Sequence, residues 1–189
     1  LSAGPQERLL RGRREGPEGH EEFSYFVFFE FFVVKSVSQV ARTMSQAEEN
    51  LRAAGFELPR PSKAVGLYVP AVRSGNWLVV AGHGPLKPDR TLVRGRVGED
   101  VDVATAAEAA RWTALNTLAT LKKTLGSLDH VARAVKVLGF VRAAPDFTGH
   151  PKVLDGFTEI LRIAYGIENG SPARSAIGVA SLPDGICVE

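Results

Sequence analysis

The chain has 189 residues, of which 44% are hydrophobic and 23% charged, and its formal net charge is +2. That is the make-up of one ordinary soluble globular domain with room for an appendage. It excludes a strongly basic nucleic-acid binder, and the lone Cys187 excludes an intrachain disulfide and any sign of an oxidising compartment.

Residues 1–43 differ from the rest of the chain. A Gly/Arg/Glu-rich start leads into FSYFVFFEFFVVKSV, and six of the ten phenylalanines fall between Phe23 and Phe32. Arginines ahead of an apolar run resemble a signal peptide. However, Glu30 breaks the run and the segment holds six glutamates, which targeting peptides avoid. No apolar run reaches the ~20 residues of a membrane span. The expectation is that residues 1–43 form a non-native or disordered extension that adds nothing to the folded core, and that Met44 is the natural start. If present, the packed aromatics are an aggregation hazard.

From Met44 onward the signals are orderly. Ser45-Gln46-Ala47-Glu48 fits a capping box, and the helix it starts runs to about Ala54, with Gly55 as its stop. Pro59 and Pro61 make an extended linker, so residues 44–62 read as helix plus linker and residues 63–189 as the main domain. Two strand-like runs, 67–73 and 77–82, flank Ser74-Gly75-Asn76 as a hairpin, with Pro70 marking an edge or a bulge. A short strand is predicted at 92–97. Val103, Ala107, Ala110, Ala114, Leu118, Leu121 and Leu125 recur at helical spacing until Gly126. The β-branched stretch 131–141 suits a strand, and Pro151 suits the first turn of a second long helix. Strands at 175–181 and from Ile186 close the chain. The order β-β-β-α-β-α-β-β predicts an α+β sandwich, a mixed sheet with two helices on one face. A strand from Ile186 needs about five residues to pair usefully, so the expectation is a last strand that continues past Glu189 in the natural protein.

Motif spacing alone declares no chemistry. The glycines of Ala81-Gly82-His83-Gly84 lack the sequence of a phosphate loop and read as a turn. His83, His130 and His150 have no paired metal-ligand spacing, and no serine sits in a nucleophile elbow. Arg174 opens an apolar strand, where arginine is most often a surface cation. Its functional reading is a planar fork that grips a carboxylate with two hydrogen bonds. Glu189, fifteen residues on across the turn Leu182-Pro183-Asp184-Gly185, reaches the same pocket if the two strands are neighbours, and a glutamate there orients or deprotonates a water.

Four stretches together carry a resemblance: VGLYVPAV at 65–72, GNWLVVAG at 75–82, FVRAAPDF at 140–147, and PARS with ASLPDG and VE across 172–189. Their combination resembles the reactive intermediate deaminase family (RidA, YjgF-type), over everything from about Ser62 to the end. The opening helix, GRVGEDV and ARWTALNTLATLKKTLGSLD resemble a longer RidA-like branch. The resemblance implies a chorismate-mutase-like fold assembled as a homotrimer, with clefts between subunits. It also implies hydrolysis of reactive enamines and imines, such as 2-aminoacrylate, to 2-keto acids and ammonia. By position, Arg174 is the carboxylate-binding arginine, Glu189 the water-positioning glutamate and Tyr68 the tyrosine lining the cleft.

The resemblance implies no cofactor, and partners that are a small imine or keto acid and the chain's own copies. Composition and spacing give the expectation of no metal, no nucleic acid and no membrane, and the protein is expected to be cytoplasmic. The sequence departs from the family pattern at Ala81 (often serine), His83 (often glutamine), Asp155 (often asparagine) and Ala176 (cysteine in some members). Ala81, Asp155 and Ala176 are therefore carried as substrate-binding positions, and an extra anion at Asp155 would disfavour an anionic substrate. The competing reading is a non-catalytic trimer that binds a keto acid or similar metabolite. A third, endoribonuclease activity, lacks the basic, aromatic-interleaved surface it needs.

Overall fold

In the computed structural model, residues 30–35, 44–64 and 66–189 are described. The first helix, α1 (Gln46–Ala53), begins as its sequence predicts. The Ser45 hydroxyl accepts the Glu48 amide at 3.2 Å, and the Glu48 carboxylate accepts in return from Ser45. Strands β2 (Ala71–Ser74) and β3 (Trp77–Val80) form an antiparallel hairpin in which Ser74 faces Trp77 across the two-residue turn Gly75-Asn76. Helix α2 (Val103–Leu125) is capped by the Asp102 carboxylate, which accepts from Thr105 N at 2.7 Å, and it stops at the left-handed Gly126. Strand β4 (Val131–Arg142) leads to helix α3 (His150–Gly170), kinked at Gly166, and then to β5 (Ala173–Val179). β4 and β5 are parallel, so α3 is the crossover that such a pair requires.

The expectation for residues 1–43 gives way at one place. Glu30–Val34 is a strand, β1, and it lies in the middle of the sheet, whose order is β2-β3-β1-β4-β5. It runs antiparallel to both neighbours, with Phe31 opposite Val79 on β3 and Lys136 on β4. Phe32 and Val34 are fully buried, so this segment does enter the core. The physical reason is alternation: Phe32 and Val34 fill the core while Phe31 and Val33 lie half-buried on the other face, a division that a run apolar at every one of these positions does not announce in sequence. Residues 1–29 and 36–43 lie outside the described residues.

Two further strands differ from expectation. The stretch 92–97 makes isolated bridges (Leu86 to Leu92, Arg94 to Ile186, Val97 to Ala143) in place of a continuous strand. The final residues pair with the distal end of β4 through Phe140 N to Glu189 O at 2.7 Å, Glu189 N to Phe140 O at 2.9 Å and Arg142 N to Cys187 O at 2.9 Å. Further down β4, the positions that face residues 131–137 carry β1.

The core lies between one face of this sheet and the helices. Phe32, Val34, Leu78, Val80, Val137 and Val141 point into it, meeting Leu118 and Leu121 of α2 and Leu154, Phe157 and Leu161 of α3. α2 and α3 pack closely because position 156 is glycine, where a Cβ would overlap the carbonyl of Ala107. Among the described residues, no helix covers the opposite sheet face. Phe31, Val72, Trp77, Leu138, Phe140 and Ile177 are half-buried or exposed there, with Phe31 and Trp77 in edge-to-face contact at 5.9 Å.

Candidate functional site

The residues singled out from the sequence fall into two groups, one on each face of the sheet. The first gathers at the end of β3. Glu189 forms a mutual hydrogen-bonded pair with Phe140, while its neighbour Val188 is buried in the core. Alternation along a strand therefore puts Glu189 on the helix-free face. Its carboxylate lies directly against Gly82, where any Cβ would overlap its Oε1 atom. Burial alone pushes the Glu189 carboxyl above its ordinary range. Ala81 donates its N–H to Pro70 O at 2.9 Å, which ties the loop carrying Tyr68 to the same corner. Tyr68 is 51% exposed.

The loop from Ala81 to Leu86 is held from behind by α2. His83 lies between Ala81 O at 2.7 Å and the Thr120 hydroxyl at 2.8 Å, and Asn116 donates to Leu86 O at 2.8 Å. A carbonyl only accepts, so Nδ1 carries the proton and Nε2 accepts from Thr120. Burial also lowers the His83 pKa, which favours that neutral ring. His83 thus positions the loop beside Glu189, a role that sequence reasoning missed. The available signal was the set of polar residues Thr113, Asn116, Thr117 and Thr120, spaced at helical intervals among apolar neighbours.

The second group lies under α3. Arg174 pairs in register with core-facing Val137, so it projects to the helix-covered side of β5. Its Nη1 donates to the Thr158 hydroxyl at 2.8 Å, and its Nη2 donates to Pro151 O at 3.1 Å and to Asp155 Oδ1 at 2.9 Å. Asp155 and Arg174, singled out separately from the sequence, are thus an ion pair, with side chains 69% and 18% exposed. Ala176, two residues along, shares that face and packs against the core beside Gly139. Within one chain Arg174 and Glu189 stand on opposite faces of the sheet and do not meet.

Other reactive groups are quiet. Cys187 is fully buried and its thiol is pushed up to about 11, far from a nucleophile's range. Among the described residues there is no cluster of three His, Cys, Asp or Glu side chains able to hold a metal, and no helix long and apolar enough to cross a membrane.

This arrangement has relatives. The sequence model of the family described as "YjgF/chorismate mutase-like, putative endoribonuclease" matches residues 48–185. The chain belongs to the YjgF/chorismate mutase-like family. Protein TCP17 of Trypanosoma cruzi is 36% identical over 140 residues, covering 74% of this chain and 88% of its own. Among solved YjgF-like structures, the Agrobacterium tumefaciens protein Atu1372, described as of unknown function, shares 39% identity with a TM-score of 0.68. The match covers 76% of this chain and 87% of that one. A Shewanella oneidensis protein described as a "putative endoribonuclease" shares 30% identity with a TM-score of 0.73, over 76% of this chain and 95% of its own. The mixed sheet with helices on one face is the YjgF/chorismate mutase-like fold, as the resemblance implied.

Proposed function

We propose that the chain is a cofactor-free deaminase of reactive 2-imino acids, working at clefts between copies of itself. The observation that carries this reading is the pairing of two unlike half-sites. One is a carboxylate held against a bare glycine, with its pKa raised by burial. The other is an arginine fork at the sheet edge. Because they occupy opposite faces, a complete site needs Arg174 from one copy and Glu189 from another. The apolar, helix-free face is a suitable surface for a three-fold assembly.

The reaction adds water to the carbon of a protonated imine, R–C(=NH₂⁺)–COO⁻. The C–N bond then breaks to give R–CO–COO⁻ and NH₄⁺, so atoms and charge balance. Arg174 orients the substrate through its carboxylate, an effect worth several kcal/mol of barrier in well-aligned systems. Glu189 takes a proton from the attacking water and returns it to the departing nitrogen. A carboxyl with a pKa raised toward neutrality is better matched to that shuttle than an ordinary one. Gly82, lacking a side chain, leaves the room that the Glu189 carboxylate occupies.

The test couples an enzyme that generates 2-aminoacrylate to pyruvate and ammonia detection. Wild type should accelerate pyruvate formation above the uncatalysed rate. Glu189→Gln should lose that acceleration while keeping ligand binding, and Arg174→Ala should lose both while remaining folded. Arg174→Lys should rescue only partly, because an ammonium lacks the two-pronged geometry. Keto-acid binding without turnover in the wild type would leave the metabolite-binding reading in its place.

A further inference from the structure

The Arg174 fork is already occupied. A guanidinium can grip a carboxylate with two hydrogen bonds along two edges, Nη1 with Nη2 or Nε with Nη2, and both edges use Nη2. Here both Nη2 hydrogens are engaged, one by the backbone carbonyl of Pro151 and the other by Asp155. An incoming carboxylate gains its second hydrogen bond only by displacing one of them. Pro151 O belongs to the first turn of α3 and is fixed, whereas Asp155 is a largely exposed side chain free to swing. Around it, Glu159 pairs with Arg111 at 2.8 Å and Arg162 donates to the neutral Ser171 hydroxyl at 2.8 Å. A displaced Asp155 stays beside the ligand as a second carboxylate, on the open groove it lines with Thr158, Glu159, Arg162 and Ile163.

We propose that Asp155 is an internal stand-in for the ligand carboxylate and makes this site select zwitterions, molecules with a cationic nitrogen next to the carboxylate. The proposal rests on Arg174 being the ligand fork. A simple anion must break the Arg174–Asp155 pair and then face the freed carboxylate. A zwitterion replaces the pair on both sides, with carboxylate to Arg174 and cationic nitrogen to Asp155. In imine hydrolysis the iminium substrate is such a zwitterion, and the 2-keto acid left after ammonium departs is only an anion. Asp155 thereby favours entry of substrate and exit of product, which makes it a specificity-determining residue of this chain.

Alanine and pyruvate share a carbon skeleton and differ at the nitrogen, so they are the probes. Calorimetric titration of the full chain should show alanine binding at least tenfold tighter than pyruvate. In Asp155→Asn, pyruvate should gain tenfold or more and alanine should weaken, so the preference levels or inverts. Melting temperature checks that this exposed substitution leaves the fold intact. An unchanged alanine-to-pyruvate ratio in Asp155→Asn overturns the role of Asp155 while leaving Arg174 as the fork, provided Arg174→Ala abolishes both ligands. Pyruvate binding more tightly than alanine in the wild type overturns it as well. Binding of neither probe by wild type or Asp155→Asn overturns both this proposal and the reading of Arg174.

Discussion

Position 82 is glycine because the Glu189 carboxylate fills the space a side chain would take. The clash partner is the far end of a flexible side chain, not backbone. Gly82→Ala should therefore leave the fold intact and push the carboxylate aside. The expected result is an unchanged melting temperature with hydrolysis reduced as severely as in Glu189→Gln. Burial also gives Glu189 a stability signature. Its folded pKa is raised above the ordinary 4.5, so the folded chain favours the neutral carboxyl. A raised pKa means that this group helps the fold below its unfolded pKa, and that help is lost as pH rises through the folded pKa. Glu189→Gln should then melt higher than wild type near neutral pH, and the two should converge below about pH 4. A melting difference independent of pH would contradict the burial argument.

β1 bridges the two halves of the sheet. β3 pairs with β2 on one side and β4 with β5 on the other, and β1 alone lies between β3 and β4. It runs along β4 in the same direction as residues 186–189, just beyond the point where Glu189 pairs with Phe140. Segments from opposite ends of the chain thus succeed one another along a single strand. Phe32→Ala should cost about 3–5 kcal/mol, the usual range for emptying a fully buried phenylalanine site, read as a loss of denaturant midpoint at unchanged slope. A chain beginning at Met44 should melt far lower than the full chain, since β3 and β4 would each lose a ladder partner. Equal melting temperatures would mean that residues 1–43 add nothing to the folded core after all.

In the proposed function the two half-sites meet only in an assembly of copies. Val72, Trp77 and Ile177 are 53%, 46% and 44% exposed on the helix-free face, and Glu189 lies on that same face. Sedimentation at micromolar concentration is expected to give close to three times the chain mass. Trp77→Asp should shift that toward the monomer and remove hydrolysis together with assembly. A stable wild-type monomer would leave Arg174 and Glu189 apart and end the shared-cleft reading.

Much of this was legible locally. The Ser45–Glu48 cap, the helix from Val103 to its stop at Gly126 and the Pro151 start of α3 rest on short-range hydrogen bonds and on periodicities within a dozen residues, and each stands where its residues placed it. The hairpin also forms, with Ser74 in the strand and not in the turn and with the first strand shortened to Ala71–Ser74. The motifs around Tyr68, Gly82, Arg174 and Glu189 likewise named the family from linear order. What linear order did not contain was which strands become neighbours and which way their side chains face. A mostly apolar pentapeptide such as Glu30–Val34 has the same local preferences in solution as in a sheet, and it becomes a central strand only by pairing with both β3 and β4. Fifteen residues separate Arg174 from Glu189, yet the alternation of two strands puts them on opposite faces. Nineteen residues separate Asp155 from Arg174, and the α3 crossover brings them to 2.9 Å. Pairing and facing are long-range outcomes of burying apolar surface, and they are settled only when the sheet closes.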